Sequence, residues 1–123
     1  MKTIKVSEAT NIQLDWLVAK CEGRSLPVRQ IAGTPIRVDV SPAESTVFAP
    51  STDWSQAGPI LEREGMGVWM YQWNEQGEPE RGWYAEDKDG DHVRKGPTSL
   101  VATMRCFVSS KLGETVEVPD ELN

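Results

Sequence analysis

Gly67-Val68-Trp69-Met70-Tyr71-Gln72-Trp73 is followed by Asn74-Glu75-Gln76-Gly77-Glu78-Pro79, then Gly82 to Glu86, then Asp87-Lys88-Asp89-Gly90-Asp91, then His92 to Lys95. Short aromatic and β-branched runs separated by polar, Gly-containing connections read as antiparallel strands. Their spacing predicts a meander. Trp69 and Trp73 share strand parity, so they are expected to face the same side, and the core is the expected side.

Working outward from the meander, Pro50-Ser51-Thr52-Asp53-Trp54-Ser55-Gln56-Ala57-Gly58-Pro59 runs into Ile60-Leu61-Glu62-Arg63-Glu64-Gly65. Ser51, Thr52 and Asp53 form a helix-capping cluster ahead of Trp54, and Gly58-Pro59 reads as a break. A short helix at the edge of the sheet is expected. Downstream, a last helix begins near Pro97 and runs to Leu112 before Gly113. Leu100, Val101, Met104, Phe107, Val108 and Leu112 give it one apolar face. Arg105 lies at the flank of that face, while Lys111 points nearly along it, where a charged group snorkels or meets an acidic partner.

Towards the N-terminus, Thr3 to Val6 reads as a strand and Thr10 to Glu22 as a helix closed by Gly23 in the C′ position. Leu14, Leu17, Val18 and Cys21 form its core stripe. Trp16 falls away from that stripe, near Ile12 and Ala19, and marks a second apolar face suited to an interface and a homo-oligomer. From Leu26 to Phe48 the pattern is extended, with Ile36-Arg37-Val38-Asp39-Val40 alternating as a half-buried strand does. Pro27, Gly33-Thr34-Pro35 and Ser41-Pro42 punctuate it and argue for edge strands or loops. The fold expected is α+β: an antiparallel sheet of about four to five strands, with two main helices packed on one face and a short helix at the edge. Residues 1–123 form a single domain, with 114–123 an acidic, loosely held tail.

Composition narrows the functional classes. The 123 residues fit one domain, able to bury roughly two thirds of its unfolded surface. Thirteen Lys and Arg against nineteen Asp and Glu leave a net charge of −6, which opposes non-specific binding to duplex DNA or to an anionic membrane. No apolar run approaches the roughly 18 residues of a membrane span, and Met1 to Val6 leads into polar sequence, so a cytoplasmic location is expected. Cys21 and Cys106 sit in helical patterns without a CxxC or histidine-rich setting, so reduced core thiols are expected and no disulfide.

Several chemistries are disfavoured. The single histidine, His92, has no cysteine nucleophile or metal cluster near it in sequence, and reads as a surface residue. Asp87 to Asp91 resembles a calcium loop, but its glycine precedes the third acid and no Glu stands at the twelfth position, so a tight turn is the better reading. There is no P-loop and no GxGxxG. Glu62 and Glu64 do not converge on one substrate atom from their helical positions. Neither metal nor cofactor is expected, and an enzyme is disfavoured.

The remaining pattern suits binding. Five of the nine aromatic residues are Trp, a side chain with a large flat face and one donor that stacks on a base or anchors a partner. Trp54, at a helix start where tryptophan has no capping use, is open to either a site or a core role. Ser51-Thr52 and Thr98-Ser99 begin two helices, where free N–H groups accept either an anion or their own caps.

Three blocks carry a family resemblance: Leu14 to Gly23, Pro50 to Ile60, and Gly96 to Gly113. Their residues, order and spacing resemble the NinX-like family of small proteins from temperate enterobacterial phages, and the likeness spans most of the chain. The resemblance implies a non-structural phage product acting in the infected cell's cytoplasm, and brings no established activity or catalytic residues. The segment from Gln72 to Arg94 transfers least.

Two functions from different classes follow as expectations. One is a non-catalytic binder of a small phosphorylated ligand, such as a nucleotide signal of host defence. Ser51, Thr52, Asp53, Trp54 and Thr98 would then form the site, with Arg63 or Arg105 on the phosphate. The other is an acidic inhibitor or modulator of a basic host protein, steered by rim acids and anchored by a tryptophan.

Overall fold

The computed structural model describes residues 1–24, 28–29, 37–41 and 46–122. Strand β1 (Lys2–Lys5) passes through a 3-10 turn (Val6–Glu8) into helix α1 (Asn11–Cys21), followed by three short strands, β2 (Val28–Arg29), β3 (Arg37–Ser41) and β4 (Thr46–Val47). Helix α2 (Trp54–Glu64) leads to β5 (Gly67–Trp73), β6 (Pro79–Glu86) and β7 (Val93–Gly96), and helix α3 (Ser99–Leu112) to β8 (Thr115–Val118). Among the described residues no helix is long and apolar enough to cross a membrane.

The helices begin and end where side-chain chemistry directs. Thr10 and Gln13 close a capping box on α1, the Thr10 N–H donating to Gln13 Oε1 at 2.9 Å and the Gln13 N–H to Thr10 Oγ1 at 3.4 Å. Gly65 ends α2 in the left-handed region, φ 65°. The expected break at Gly58-Pro59 is absent, because α2 runs through Pro59. Pro59 lies in the middle of the helix and removes one hydrogen bond to Ser55, and Gly58 before it carries no Cβ to meet the proline ring.

The architecture is α+β and antiparallel, and among the described residues the strands form three small sheets ordered β1-β8, β2-β3-β4 and β5-β6-β7. The meander is therefore present, whereas among the described residues no sheet reaches the expected four to five strands. One cause is at the termini. Residues 114–122, expected as a loose tail, are docked: β8 pairs with β1 from Lys2↔Val118 to Lys5↔Thr115, with Val116, Val118 and Leu122 buried. Gln13 Nε2 donates to the Leu122 carbonyl at 2.6 Å. Of the extended segment read between Leu26 and Phe48, the strand at 37–41 is present. Pro27, Gly33 to Ile36 and Pro42 lie outside the described residues.

Helix α3 is the hub. Nine of its residues are buried, and it packs against α1, α2 and the meander. The two main helices thus do not lie side by side on one sheet face: α3 meets the meander, and α1 packs on α3. Its close approach to β7 depends on Gly96, where a Cβ would collide with the Ala102 backbone. Lys111, near the end of α3, meets an acidic partner, Glu64 Oε1, at 2.9 Å.

The tryptophans of β5 do not face the core. Val68 and Met70 pair with Ala85 and Trp83 on the inner parity, where Ala85 is fully buried and Trp83 packs on the core. Trp69 and Trp73 take the outer parity and remain 42% and 61% exposed. Trp69 stacks on Tyr84 with ring centroids 5.6 Å apart, and Tyr71 lies 4.7 Å from Tyr84. Tyr71 also covers Gly82 across the strand pair, filling the space a side chain would need. The inner face meets the core through Val68, Ala85 and Trp83, so the alternation of the strand sends Trp69 and Trp73 outward.

Candidate functional site

The capping cluster before α2 is engaged with its own fold. Asp53 is the N-cap, its Oδ1 accepting from the Ser55 N–H at 2.9 Å and the Ser55 hydroxyl at 2.6 Å, and its Oδ2 accepting from Gln56 at 3.2 Å. These bonds, led by the Ser55 hydroxyl, hold the Asp53 carboxyl below its usual range. Ser51 is buried; its N–H donates to Asp15 Oδ1 at 2.9 Å and its hydroxyl to the Asn11 carbonyl at 3.3 Å, fastening the start of α2 to α1. The Thr52 hydroxyl donates to the Ala49 carbonyl at 3.4 Å. Gln56 reaches back to β4, donating to the Val47 carbonyl at 3.0 Å and accepting from the Ala49 N–H at 2.8 Å. Capping and anchoring therefore account for Ser51, Thr52 and Asp53. Trp54 is 52% exposed at the first helical position.

Thr98 and Arg105 are elsewhere. Thr98 caps α3 by accepting from the Val101 N–H at 3.1 Å. Arg105 donates to the Lys95 and Ala9 carbonyls, both at 3.1 Å, tying α3 to β7 and to the 3-10 turn. Its Nε is buried with no hydrogen-bond partner among the described residues, and burial pushes the guanidinium pKa down. No hydrogen bond, ion pair or ring contact among the described residues joins Thr98 or Arg105 to Ser51 or Trp54. Trp16 is half-buried against the core, with the Lys20 ammonium 5.7 Å from its ring centroid.

Arg63 belongs to a different arrangement. A cleft of about 480 Å³ lies along α2 beside the end of α1, lined by Glu22, Arg24, Phe48, Ser55, Gln56 and Arg63, with Pro59 and Ile60 as its apolar part. Its volume falls in the range of small-molecule sites. Arg63 grips Glu22 with two parallel bonds of 2.9 and 3.0 Å and Glu64 with a third of 2.9 Å, which raises the guanidinium pKa. The Arg24 guanidinium lies 5.2 Å from the centroid of the Phe48 ring, and makes no ion pair among the described residues. Two guanidiniums and one carboxylate make the lining cationic in a chain of net charge −6.

Sequence reasoning reached Arg63 and stopped beside Ser55. It missed Glu22, Arg24, Phe48 and Gln56. Gly23, at φ 72°, turns the chain directly after α1 and places Glu22 and Arg24 together at the helix end, which is a readable signal. Phe48 carries no pattern of its own.

Elsewhere, Asp87 and His92 pair at 2.8 Å across the turn closed by the Gly90 N–H on the Asp87 carbonyl. The thiol near His92 belongs to Cys106, which is buried, donates to the His92 carbonyl at 3.3 Å and has its pKa pushed up to about 12 by burial. A thiol so held is a poor nucleophile. Among the described residues no group of three or more His, Cys, Asp or Glu is placed to hold a metal ion.

The family model described as Bacteriophage P22, NinX matches residues 5–111. No curated protein matches the chain.

Proposed function

The chain belongs to the bacteriophage P22 NinX family, and from that premise we propose that it is a non-catalytic phage accessory protein of the host cytoplasm that binds a small phosphorylated ligand. The observation that carries this reading is the cationic cleft beside α2, where Arg24 and Arg63 share a wall with the Phe48 ring. Arg24 is the primary phosphate contact, since its guanidinium rests on an aromatic face and leaves donors for a ligand. Arg63 is held in orientation by the Glu22 and Glu64 carboxylates, which offset its charge, so it shapes the wall of the cleft and leaves the phosphate to Arg24. Trp54, 52% exposed and one position ahead of the lining residue Ser55, offers the flat surface on which a nucleobase stacks, while the buried Phe48 ring backs the Arg24 guanidinium. Ser51, Thr52 and Asp53 set the position of α2, while Thr98 and Arg105 serve the α3 end of the fold. A nucleotide signal of host defence is the ligand this chemistry fits best, and sequestering it requires no catalytic group.

The reading is tested by thermal unfolding against a panel of linear and cyclic nucleotides, with inorganic phosphate as reference. A ligand at about a hundredfold its Kd is expected to add roughly 2.7 kcal/mol of stability. Arg24→Glu should remove that shift while leaving the melting temperature of the free protein within a degree or so, as for an exposed surface substitution. A panel in which no nucleotide moves the transition would remove the reading.

A further inference from the structure

Strand β5 is an edge strand, hydrogen-bonded to β6 on one side and to no other strand among the described residues. Its seven residues include no charge and no proline, and the register shift between Tyr71 and Trp73 places the extra residue in β6, leaving β5 regular. Natural sheets usually protect a long edge with charges, prolines, bulges or a covering element. Trp69, Met70 and Trp73 are instead 42%, 43% and 61% exposed along it. An unprotected regular edge beside an aromatic face is the arrangement that accepts an added strand.

The face beside the edge indicates the partner's charge. The Lys95 ammonium sits 5.2 and 5.3 Å from the Tyr71 and Tyr84 ring centroids and 2.9 Å from Glu75 Oε1, which also accepts from the Tyr84 hydroxyl at 2.9 Å. The face thus already holds one cation between rings and a carboxylate. Glu80 lies 4.0 Å from the same ammonium, and Glu86 shares the parity of Tyr84, so carboxylates outnumber cations there. Among the described residues no cation lies over Trp69 or Trp73. A second copy would bring two such acidic faces together in chains of net charge −6, whereas a basic segment meets complementary potential.

We propose that the β5 edge and its aromatic face dock an extended basic segment of another protein, whose backbone pairs with β5 and whose alternate Lys or Arg side chains lie over Trp69 and Trp73. This surface is separate from the α2 cleft.

The test uses the full chain and short labelled peptides of alternating arginine and threonine, alternating glutamate and threonine, and the arginine peptide N-methylated at alternate backbone amides. Fluorescence anisotropy should show binding of the arginine peptide only. Trp73→Ala with Trp69→Ala should weaken it about tenfold or more. Raising ionic strength from about 0.05 to about 0.5 M should weaken it further, and N-methylation of the pairing amides should abolish it. Trp73→Ala alone, at the most exposed position, serves as the variant least able to disturb folding. Several results would each overturn the proposal: equal binding of both peptides or of neither, indifference to the Trp substitutions, or preference for a single-stranded oligothymidylate. A dimer in solution that Trp69→Ala and Trp73→Ala dissociate would assign the edge to a second copy instead.

Discussion

Gly96→Ala is expected to lower folding stability by about 3 kcal/mol or more, one of the larger effects available to a single methyl group. Gly96 ends β7, and the position a Cβ would occupy collides with the Ala102 N–H and lies 2.9 Å from Ala102 Cα and 3.0 Å from the Val101 carbonyl carbon. Those atoms are helix backbone. A side chain in the way could change rotamer, but the α3 backbone moves only with the helix. Leu100, Val101, Ala102 and Met104 are all buried on that helix, so a shift that relieves the clash disturbs the core from α1 to the meander. Urea unfolding at neutral pH should show a lower midpoint, and thermal unfolding a fall of roughly 10 °C for a domain of this size. A fall of only a degree or two would mean that β7 is not seated on α3 at this distance. Gly65→Ala tests a different property, because its positive φ makes the strain conformational and the expected loss nearer 1 kcal/mol.

Asp15→Asn is expected to stabilise the protein at neutral pH and to lose that advantage in acid. Asp15 is 5% exposed on α1 and accepts from the Ser51 N–H at 2.9 Å. Burial raises its pKa from 3.8 to about 6, a rise that the Ser51 bonds oppose without cancelling. A carboxyl whose pKa is higher folded than unfolded favours folding while protonated. Its contribution is therefore fully present below about pH 4 and is lost as pH rises through about 6. A shift of about two units corresponds to roughly 3 kcal/mol between those limits. Asparagine keeps an acceptor for the Ser51 N–H and has no charge to desolvate. The difference between variant and parent should therefore be small near pH 4 and reach about 2 to 3 kcal/mol by pH 7. Asp53, Glu64, Asp87 and Glu114 have lowered pKa values and act in the opposite sense. Subtracting parent from variant cancels them. A difference that does not change with pH would place Asp15 outside the buried contact between α1 and Ser51.

Legibility followed the range of each interaction. Most helix ends were readable because their determinants are local: Thr10 ahead of α1, the Ser51 to Asp53 cluster ahead of α2 and Thr98 ahead of α3, although the break read at Gly58-Pro59 is absent. The meander was readable from its turns. Most of the other failures depended on distant partners. The pairing of β8 with β1 spans the length of the chain, so the acidic composition of 114–123 was a poor guide to Val116, Val118 and Leu122 in the core. The parity shared by Trp69 and Trp73 was correct, but the side they face is decided by α3, which accepts Val68 and Ala85 and leaves the rings outside. Arg105 reads as a phosphate ligand from its residue type alone, until its donors are seen on the Lys95 and Ala9 carbonyls. Arg63 was found as a charge on α2, but its role as one wall of a cleft needed Glu22 and Arg24, which reach it only through the turn at Gly23.

The central claim is that the cleft beside α2 is the ligand site, and amide-resolved NMR titration tests it most directly. The full chain, labelled with ¹⁵N, is titrated with the nucleotide that gives the largest thermal shift. Saturable shifts should centre on the backbone amides of Arg24, Phe48, Ser55, Gln56 and Arg63 and on the Arg24 side-chain Nε, with the Trp54 indole following. Arg24→Glu should erase them while the rest of the spectrum stays in place. Shifts that instead centre on Thr98 to Arg105, or a spectrum indifferent to every nucleotide, would contradict the account.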